Sequence, residues 1–524
     1  MKDFAELLDR LNYTPSRNAK LALMRSYFRA TPDPDRGFAL AILTDVLRFS
    51  FPVRKTILAL AGDHIDAEIF KLSRDYVGDT AETLSLIWPE VMQGHVPRLS
   101  EVMDTLSIAN SSTIKDILKV WLDALDVNGR WAILKIVTGG LRSGVSSRLA
   151  KTALALAFDK DVDEIEQLWH GLKPPYSELF NWLAGTHQKP EIGDMPIFRP
   201  VMLSHPLEAG DLAALDVSQY QIEWKWDGIR VQICARGDQI RIYTRTGEDI
   251  SEGFPQFQIF RFNATLDGEL LISRDGILAP FQDLQQRLNR KTVTKKMSEA
   301  YPPLIRLYDA LDLDGEDLRG LPMEERRKRL EQWHSKWRPA FTDVSEVINV
   351  KDHDVLSAIW SSTRSESIEG LMLKRRDSAY VSGRPRGLWW KWKRSPLTAD
   401  CVMIYAQRGS GKRSSFYSDY TFAAWDEKKS PPELVPVGKA YSGFTDEELK
   451  KLDHYVRHHT TQKFGPVRQV EPNVVLEIAF DGVQFSTRHK SGIALRFPRI
   501  SRIRWDKPAA EANTLGSIAA HIVN

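Results

Sequence analysis

The N-terminal part of the chain carries apolar side chains at helical spacing. Phe4, Leu7, Leu8 and Leu11 fall at positions i, i+3, i+4 and i+7, which places them on one face of a helix. Stripes of the same kind recur at 20–29, 64–74, 113–125, 147–158 and 162–171. No strand-like alternation of apolar and polar residues competes with these stripes. The pattern therefore predicts an all-α domain over residues 1–190.

The helical pattern stops at 189–200, where three prolines indicate a linker. From 218 to 315 the chain shows short alternating runs instead. These runs are separated by Asp-Gly and Gly-Asp pairs, which are typical of tight turns between strands. Helices are predicted within this region at 281–290 and 322–337. The mixture predicts an α+β domain over residues 200–396.

A third pattern begins after Ser395-Pro396. The segment is rich in Val, Ile, Phe and Tyr and has turns that contain glycine, which predicts a small β-barrel or sandwich that ends near residue 508. An apolar tail follows at 511–523. We interpret this tail either as a partner-binding helix or as a strap packed on the barrel, and we favour the strap.

Charge is distributed unevenly along the chain. The 524 residues include 72 Lys and Arg against 69 Asp and Glu, a net charge of +3 that excludes a uniformly basic protein. Residues 374–394, however, contain eight Lys or Arg against one Asp, and residues 488–507 contain seven against one. Any nucleic-acid site is therefore local, and these two segments are the candidates for phosphate neutralisation.

Two further features narrow the class of protein. Cys234 and Cys401 can build neither a disulfide framework nor a four-thiolate zinc site. No apolar stretch approaches the ~18 residues that span a bilayer, and the N-terminus is not typical of a signal sequence. We expect no membrane contact and a cytoplasmic location.

Lys225 stands out among the charged residues of the middle domain. It lies near the end of a predicted strand between Trp224 and Trp226 and is followed by the turn Asp227-Gly228. In a strand, Glu223, Lys225 and Asp227 share one face and the tryptophans share the other. A lysine close to other cations loses affinity for its proton and becomes a nucleophile. The alternative is an edge strand whose charged face is simply solvated.

Further charged and aromatic residues follow Lys225 at the ends of predicted strands. They are Arg245, Glu269, Tyr308, Glu369, Lys391 and Lys393. A nucleophilic lysine, cations for a triphosphate and carboxylates for Mg²⁺ are what attack on an α-phosphate requires, because the phosphoryl charge must be neutralised while pyrophosphate leaves. Carboxylate is also the protein ligand that Mg²⁺ prefers, and no His or Cys cluster suits a softer metal.

These motifs, taken in order, resemble those of ATP-dependent DNA ligases. The motifs are Lys225-x-Asp-Gly, Arg245, Asp-Gly-Glu269, Tyr308-Asp, Glu369-Gly, Trp-Lys391-Trp-Lys393 and the stretch from Arg496-Phe-Pro-Arg499 through Arg502 to Lys507. The stretch Gly139-Gly-Leu-Arg142-Ser143-Gly144 resembles the DNA-binding domain that precedes the catalytic core in larger members. The likeness is greatest to bacterial three-domain ligases of the B type. Two motifs differ from their usual sequences. Tyr308 stands where Phe is frequent, and the Trp-Lys-Trp-Lys run has Trp where aliphatic residues are usual.

The resemblance implies three domains and an activity. The domains are a helical DNA-binding domain at 1–190, an α+β nucleotidyltransferase (ATP-grasp-like) domain at 200–396, and an OB-fold β-barrel at 397–524. The implied enzyme is a monomer that seals nicks in duplex DNA, with ATP and Mg²⁺ as cofactors and Mn²⁺ as a possible substitute. The implied reaction has three steps: lysyl-AMP forms, AMP passes to the 5′-phosphate of the nick, and the 3′-hydroxyl displaces AMP.

The resemblance also implies roles for individual residues. Lys225 carries AMP, Glu223 accepts a hydrogen bond from the adenine amino group, Tyr308 stacks on the base, Arg230 and Arg245 lie near the ribose or a phosphate, Lys391 and Lys393 contact the α-phosphate, and Arg502 and Lys507 orient pyrophosphate. Glu269 and Glu369 bind Mg²⁺ or the ribose. Arg142, Ser143, Gly144 and Asp227 contact DNA.

Three rival interpretations stay open at this point. An mRNA capping guanylyltransferase uses GTP, but Glu223 suits the amino group of adenine and a helical N-terminal domain has no evident part in capping. An NAD-dependent ligase usually has a four-cysteine zinc site, which two cysteines cannot make. A non-catalytic nick-binding protein could keep the basic surfaces and lose the chemistry, but the complete set of lysines and glutamates argues against it.

Overall fold

The structure is a computed structural model. It describes the chain except for residues 48, 50, 78, 92, 140, 142, 192, 194, 260, 289, 291, 292, 363–366, 410–415, 488, 523 and 524, and except for the side chains of 75, 76, 209, 259 and 362. The chain divides into two compact units. One unit contains Met1–Phe158, Pro174–Ser177 and Ser395–Asn524, and the other contains Asp159–Lys173 and Glu178–Arg394. The three-domain boundaries drawn from the sequence stay a prediction.

The N-terminal region is helical, as predicted. Its helices are α1 (Lys2–Tyr13), α2 (Arg17–Ala30), α3 (Asp35–Leu43), α4 (Val53–His64), α5 (Ala67–Val77), α6 (Thr80–Ile87), α7 (Leu99–Ile108), α8 (Ile114–Ala124), α9 (Val127–Thr138), α10 (Ser147–Phe158), α11 (Val162–Trp169) and α12 (Ser177–Leu183). The apolar stripe of α1 is buried from Phe4 to Leu11. The Ser16 hydroxyl caps α2 and the Asp126 carboxylate caps α9, each by accepting a backbone N–H bond.

One predicted stripe, 64–74, is split between two helices. α4 ends at His64, and Ile65 has extended backbone at φ −132°. The Asp66 carboxylate then accepts hydrogen bonds from the N–H groups of Glu68 and Ile69. Such a side chain starts a new helix, because it satisfies the first unpaired N–H groups.

The middle of the chain forms two sheets. The strands are β1 (His205–Pro206), β2 (Tyr220–Trp226), β3 (Ile229–Arg236), β4 (Gln239–Thr244), β5 (Ala264–Arg274), β6 (Ile277–Leu278), β7 (Pro303–Leu313), β8 (Glu316–Asp317), β9 (Thr342–Val344), β10 (Val347–Ile348), β11 (Ile368–Arg375) and β12 (Trp389–Lys393). The helices are α13 (Ala209–Ala214), α14 (Phe281–Gln285), α15 (Lys295–Ala300), α16 (Met323–Trp337) and α17 (His353–Ser362). The first sheet has the order β1-β12-β11-β2-β10, and the second has the order β4-β3-β5-β7-β8, with β6 on β5 and β9 on β7.

Two helices were predicted in this region, and the structure confirms one of them to within one residue. Helix α16 begins one residue after the predicted start and ends at the predicted residue, Trp337. The prediction for 281–290 was too long, because α14 ends at Gln285. The buried side chain of Arg287 explains the early end, since its guanidinium donates to the carbonyls of Gly253 and Tyr301 and holds the following turn there.

The first sheet separates charged from apolar side chains, as the alternation predicted, except that Trp226 is not part of the apolar cluster and its indole N–H donates to the Ser345 hydroxyl. Trp224, Trp390 and Trp392 belong to an apolar cluster on one face, together with Leu371 and Leu373. Trp360 of α17 stacks on Trp392 with ring centroids 4.7 Å apart. Because side chains alternate across a strand, this packing directs the neighbouring charged residues to the other face.

The C-terminal segment is rich in β-structure. Its strands are β13 (Leu397–Arg408), β14 (Tyr417–Asp426), β15 (Glu433–Ala440), β16 (Thr460–Phe464), β17 (Val467–Val470), β18 (Val475–Phe480), β19 (Gly482–Phe485), β20 (Ile493–Arg496) and β21 (Arg499–Arg504), with helices α18 (Asp446–His458) and α19 (Leu515–Ala519). Strand β13 is central, because it pairs with β14, β17 and β18. β18 also pairs with β21.

The apolar tail packs on these strands, as the favoured interpretation predicted. Ile518 of α19 is 1% exposed and belongs to the core of the strands. The indole N–H of Trp425 donates to the Ala509 carbonyl, and its backbone N–H donates to the Asn513 carbonyl. Among the described residues, no helix is both long and apolar enough to cross a membrane.

A buried ion pair joins α16 to β7 and generates a stability prediction. Arg326 donates two 2.8 Å bonds to Asp309, and both side chains are fully buried. Arg326→Met should lower the free energy of unfolding by about 3–5 kcal/mol, because it leaves the Asp309 charge buried and unpaired. Urea unfolding of the full chain measures this loss.

Arg329→Met is the matched control for this prediction. Arg329 lies on the same helix and pairs with Glu316 and Glu325 near the surface. An exposed pair of this kind contributes about 0–1 kcal/mol. Equal losses in the two variants would contradict the role given to the buried pair.

Candidate active site

Three neighbouring strands of the first sheet bring charged residues together. Lys225 on β2 lies opposite Gly370 on β11, and Gly370 lies opposite Lys393 on β12. One row further along, Met372 separates Glu223 from Lys391 in the same way. Because cross-strand partners share a face, these four charged residues project from one side of the sheet.

Glu369 reaches this face through an irregularity in β11. The register between β11 and β2 shifts between Ile368 and Gly370, which is the pattern of a β-bulge, and bulges re-aim side chains. Gly370 has φ +149°, and a Cβ built there would lie 2.1 Å from the Trp392 carbonyl oxygen. Only glycine therefore fits at this position.

The bulge places the Glu369 carboxylate between two lysines. Its Oε2 lies 2.5 Å from the Lys225 Nζ and 3.2 Å from the Lys393 Nζ. Burial alone would raise the pKa of Glu369, but the ammonium groups of Lys225 and Lys393 lower it to about 2. Glu369 is therefore an anion at neutral pH.

The second sheet contributes Glu269, whose pKa is raised, whereas that of Glu369 is lowered. Burial, together with the charges of Glu369 and Asp227, raises the pKa of Glu269 to about 8, although Lys225 and Arg230 act against this rise. The Arg230 guanidinium itself bonds the Asp267 carboxylate at 2.6 Å and the Met202 carbonyl at 2.6 Å. The charges that act on Glu269 come from both sheets, so the two sheets line a common site.

A buried cluster of polar groups surrounds Glu223. Glu223 is 1% exposed, and its Oε1 accepts hydrogen bonds from Lys374 at 3.0 Å and from Gln221 at 2.8 Å. The Lys374 Nζ also lies 4.1 Å from the ring centroid of Tyr308, which is buried. The structure thus brings together the carboxylate and the aromatic ring that were assigned to the base.

Cations crowd around Lys391 on β12. Burial lowers the pKa of Lys391, and the charges of Arg384, Lys393, Lys225 and Arg245 lower it further. The pKa of Arg245 is lowered by burial and by the charges of Arg230 and Arg384. Such crowding suits a polyanion, because a bound phosphate would relieve the repulsion between these groups.

Sequence reasoning assigned no role to two residues of this site. Arg384 acts on both Lys391 and Arg245, and its signal was its place in the basic segment 374–394. Lys374 ends the same apolar strand as Glu369, but the sequence does not show that its ammonium is buried against Glu223. Both contacts depend on pairing between distant strands.

Three other predicted residues, Arg502, Lys507 and Asp227, have defined partners in the structure. In the C-terminal segment, Arg502 pairs with Glu477 at 3.3 Å and Lys507 pairs with Asp400 at 2.7 Å. Asp227 is buried, and its backbone N–H donates to the Ser367 carbonyl.

The predicted DNA contacts of the helical region are described in part. The Ser143 carbonyl accepts a 2.5 Å bond from the Lys20 ammonium. Gly144 has φ +63°, and a Cβ there would lie 2.7 Å from the same ammonium. Burial lowers the pKa of Lys20. Arg142 lies outside the described residues.

The carboxylate oxygens around Lys225 suit a hard divalent cation that takes its remaining ligands from water or phosphate. Glu269 and Glu369 supply carboxylate oxygens, and the raised pKa of Glu269 reflects in part their mutual repulsion, which a cation would remove. Within the described part of the chain, no group of three or more His, Cys, Asp and Glu side chains could hold a metal. Mg²⁺ accommodates such a site, because it binds through one or two carboxylates and takes water and phosphate oxygens as its other ligands.

Comparisons with known proteins give a consistent result. Residues 201–393 match the family model described as "ATP dependent DNA ligase domain", and residues 413–507 match "ATP dependent DNA ligase C terminal region". A probable DNA ligase of Koribacter versatilis (strain Ellin345) is 30% identical over 98% of this chain and 95% of its own length. DNA ligase 1 of Korarchaeum cryptofilum (strain OPF8) is 28% identical over 98% of this chain and 97% of its own length.

A solved structure named Pmar-Lig_Pre resembles the chain in fold. The match covers 96% of this chain and 99% of that one, with a TM-score of 0.61 and 16% sequence identity. At this level of identity the likeness concerns the fold alone.

The raised pKa of Glu269 predicts how stability depends on pH. Its ordinary pKa of 4.5 applies in the unfolded chain and about 8 applies in the folded chain, so unfolding releases a proton between these values. The contribution of Glu269 to the free energy of unfolding therefore falls as pH rises from about 4.5 to about 8, and it is constant above. Without divalent cations, Glu269→Gln should gain stability relative to the unchanged protein across this range.

Urea midpoints measured at intervals from about pH 5 to about pH 9 test this pH dependence. Glu299→Gln, at an exposed glutamate, serves as the control and should leave the profile unchanged. A difference between Glu269→Gln and the unchanged protein that does not vary with pH would show that Glu269 titrates normally.

Proposed function

The chain belongs to the ATP-dependent DNA ligase family, and we propose that this enzyme seals nicks in duplex DNA with Lys225 as its nucleophile. The observation that carries this assignment is the ion pair between Lys225 and Glu369 on a face crowded with cations. This arrangement provides an amine, a carboxylate and phosphate-binding groups within one site. A nick-binding protein without chemistry would need only the cations.

The proposed reaction has three steps. In the first, the Lys225 Nζ attacks the α-phosphorus of ATP, a P–N bond forms, and the bond to pyrophosphate breaks. In the second, an oxygen of the nick's 5′-phosphate attacks the same phosphorus and releases Lys225, which gives an adenylylated DNA end. In the third, the 3′-hydroxyl attacks the 5′-phosphate, AMP leaves, and the phosphodiester is complete.

The first step requires Lys225 to lose a proton. Glu369 is a poor acceptor for that proton, because the neighbouring ammonium groups lower its pKa to about 2. Glu369 instead orients the amine, and the pair must separate as the nucleotide enters. Arg245, Lys391 and Lys393 then neutralise the phosphate charge.

We propose that Glu269 and Glu369 hold Mg²⁺, for which Mn²⁺ could substitute. When bound, the cation supplies charge neutralisation at the phosphates. Glu269 must be ionised to serve as a ligand, and its raised pKa therefore links cation binding to pH. Glu369 is already ionised, but it must exchange its contact with Lys225.

The adenine base is assigned to the buried end of the site. Glu223 would accept a hydrogen bond from the amino group, and Tyr308 would stack on the ring. The burial of both side chains supports this assignment, because exclusion of water strengthens both contacts. Arg230 is held by Asp267 and Met202, which suits a group that contacts the nucleotide from a fixed position.

We assign the remaining parts of the chain by the same family relationship. The domain bounds are 1–190 for DNA binding, 200–396 for nucleotidyl transfer and 397–524 for an OB-fold. Arg142, Ser143, Gly144 and Asp227 would contact nicked DNA. Arg502 and Lys507 would orient pyrophosphate, which requires each to leave its present carboxylate partner.

The nucleophile is tested by intact mass after incubation with ATP, GTP or NAD in parallel. The protein is first stripped of bound AMP with pyrophosphate and then given Mg²⁺. An adenylyl adduct should form from ATP alone and should be absent in Lys225→Ala, because no other amine occupies that position. An adduct from GTP would favour capping chemistry, and an adduct retained in Lys225→Ala would place the nucleophile elsewhere.

The C-terminal cations are tested by single substitutions in the full chain. Arg502→Ala and Lys507→Ala should slow adenylation by ATP by about tenfold or more, which corresponds to the loss of one charged contact to the leaving group. Sealing of a nick that is already 5′-adenylylated should change little. Lys429→Ala, at an exposed lysine paired with Glu433, serves as the control. Unchanged adenylation in both variants would remove these residues from the first step.

A further inference from the structure

Tyr380 lies between β11 and β12, outside the motifs that resemble those of DNA ligases. Its hydroxyl donates a 2.6 Å bond to Oδ2 of Asp267 and accepts a 2.9 Å bond from Nη2 of Arg230. The same nitrogen of Arg230 also donates to Oδ2 of Asp267, at 2.6 Å. The three side chains therefore bond one another in a closed triangle.

The position of the hydroxyl is fixed by the packing of the tyrosine ring. Tyr380 is 5% exposed and belongs to an apolar cluster with Met202, Leu311 and Trp389. The ring of Trp389 meets it edge-on, with 5.8 Å between the centroids. The backbone N–H of Tyr380 donates to the Arg319 carbonyl at 2.8 Å. Burial raises the pKa of the Tyr380 phenol, which therefore keeps its proton and remains a donor.

The triangle uses most of the hydrogen-bonding capacity of Arg230. A guanidinium carries five N–H groups. In Arg230 the Nε–H donates to Asp267 at 3.3 Å, Nη2 donates to Asp267 and Tyr380, and Nη1 donates to the Met202 carbonyl at 2.6 Å. One N–H, on Nη1, has no partner among the described residues. The Arg230 side chain is 14% exposed, so it is not fully enclosed.

Strand register alone would allow Arg230 a different partner. On the paired strands β3 and β5, Arg230 lies directly opposite Glu269, whereas Asp267 lies opposite Gln232. The guanidinium nevertheless bonds Asp267, which is fully buried. The Tyr380 hydroxyl favours this choice, because a buried carboxylate is stabilised by every hydrogen bond that it accepts. The hydroxyl thus selects the carboxylate to which Arg230 is attached.

Arg230 is also close to the phosphate-binding groups of the site. Burial, followed by the charge of Arg230, lowers the pKa of Arg245. We propose that Tyr380 is a positioning residue for adenylation, which fixes the Arg230 guanidinium on Asp267 and leaves the last Nη1–H to the bound nucleotide. This proposal rests on the proposed function, which places ATP in the site. A donor that is oriented before the ligand arrives costs less entropy on binding.

The test measures self-adenylation of the full-length protein, stripped of AMP, at a series of ATP concentrations with Mg²⁺. Tyr380→Phe keeps the packed ring and removes only the bridging hydroxyl. It should raise the KM for ATP by about tenfold, the effect of weakening one hydrogen bond to a charged group. The maximal rate should change by less than about twofold, because a contact made equally with bound ATP and with the transition state affects KM alone.

Tyr243→Phe is the matched control. The Tyr243 hydroxyl is also buried, and it donates to the Pro196 carbonyl at 2.9 Å rather than to a charged group. Its removal should leave the KM for ATP unchanged. Urea unfolding confirms that both variants fold cooperatively. An unchanged KM in Tyr380→Phe would overturn the proposal.

A double-mutant cycle with Arg230→Lys separates positioning from a general structural role. Lysine keeps a positive charge beside Asp267 but lacks the planar fork that the Tyr380 hydroxyl orients. In the Arg230→Lys background, Tyr380→Phe should therefore raise the KM by less than about twofold, since residues that act through one another are not additive. Equal increases in the two backgrounds would show that Tyr380 does not act through Arg230.

The two proposals fail in different ways. If the unchanged protein does not form an adduct from ATP, the proposed function fails. If the unchanged protein adenylates and Tyr380→Phe does so with the same KM, only the role assigned to Tyr380 fails.

Discussion

The contact between Lys225, Glu369 and Lys393 is the interaction on which the active site depends. Three strands supply its members, and the bulge at Gly370 lets the carboxylate reach both ammonium groups. The apolar packing of Trp224 and Trp392 on the opposite face holds those strands in register. A one-residue slip would exchange the two faces, so the packing and the chemistry depend on the same pairing.

The two carboxyl groups of the site have pKa values that are shifted in opposite directions. Glu369 is held ionised by its lysines, whereas burial and neighbouring carboxylates favour the protonated form of Glu269. Two carboxylates of one type therefore differ in pKa by several units within one site. Burial and neighbouring cations lower the pKa of Lys391 and of Arg245, and a ligand that carries several negative charges would relieve this repulsion.

The predicted phosphate-binding cations of the C-terminal segment also pair with carboxylates. Arg502 is exposed, so its contact with Glu477 is exchanged at small cost, whereas Lys507 pairs with the largely buried Asp400.

The sequence by itself determined the helical region, the alternating faces of β2 and β12 and the order of the charged motifs. These features depend on local periodicity, which a chain carries before it folds. Only the tertiary structure decided that Lys374 is buried against Glu223, that α14 ends where Arg287 turns inward, and that Glu269 titrates near pH 8. Contacts, burial and pKa depend on distances between residues far apart in the chain, and those distances exist only after the strands have paired.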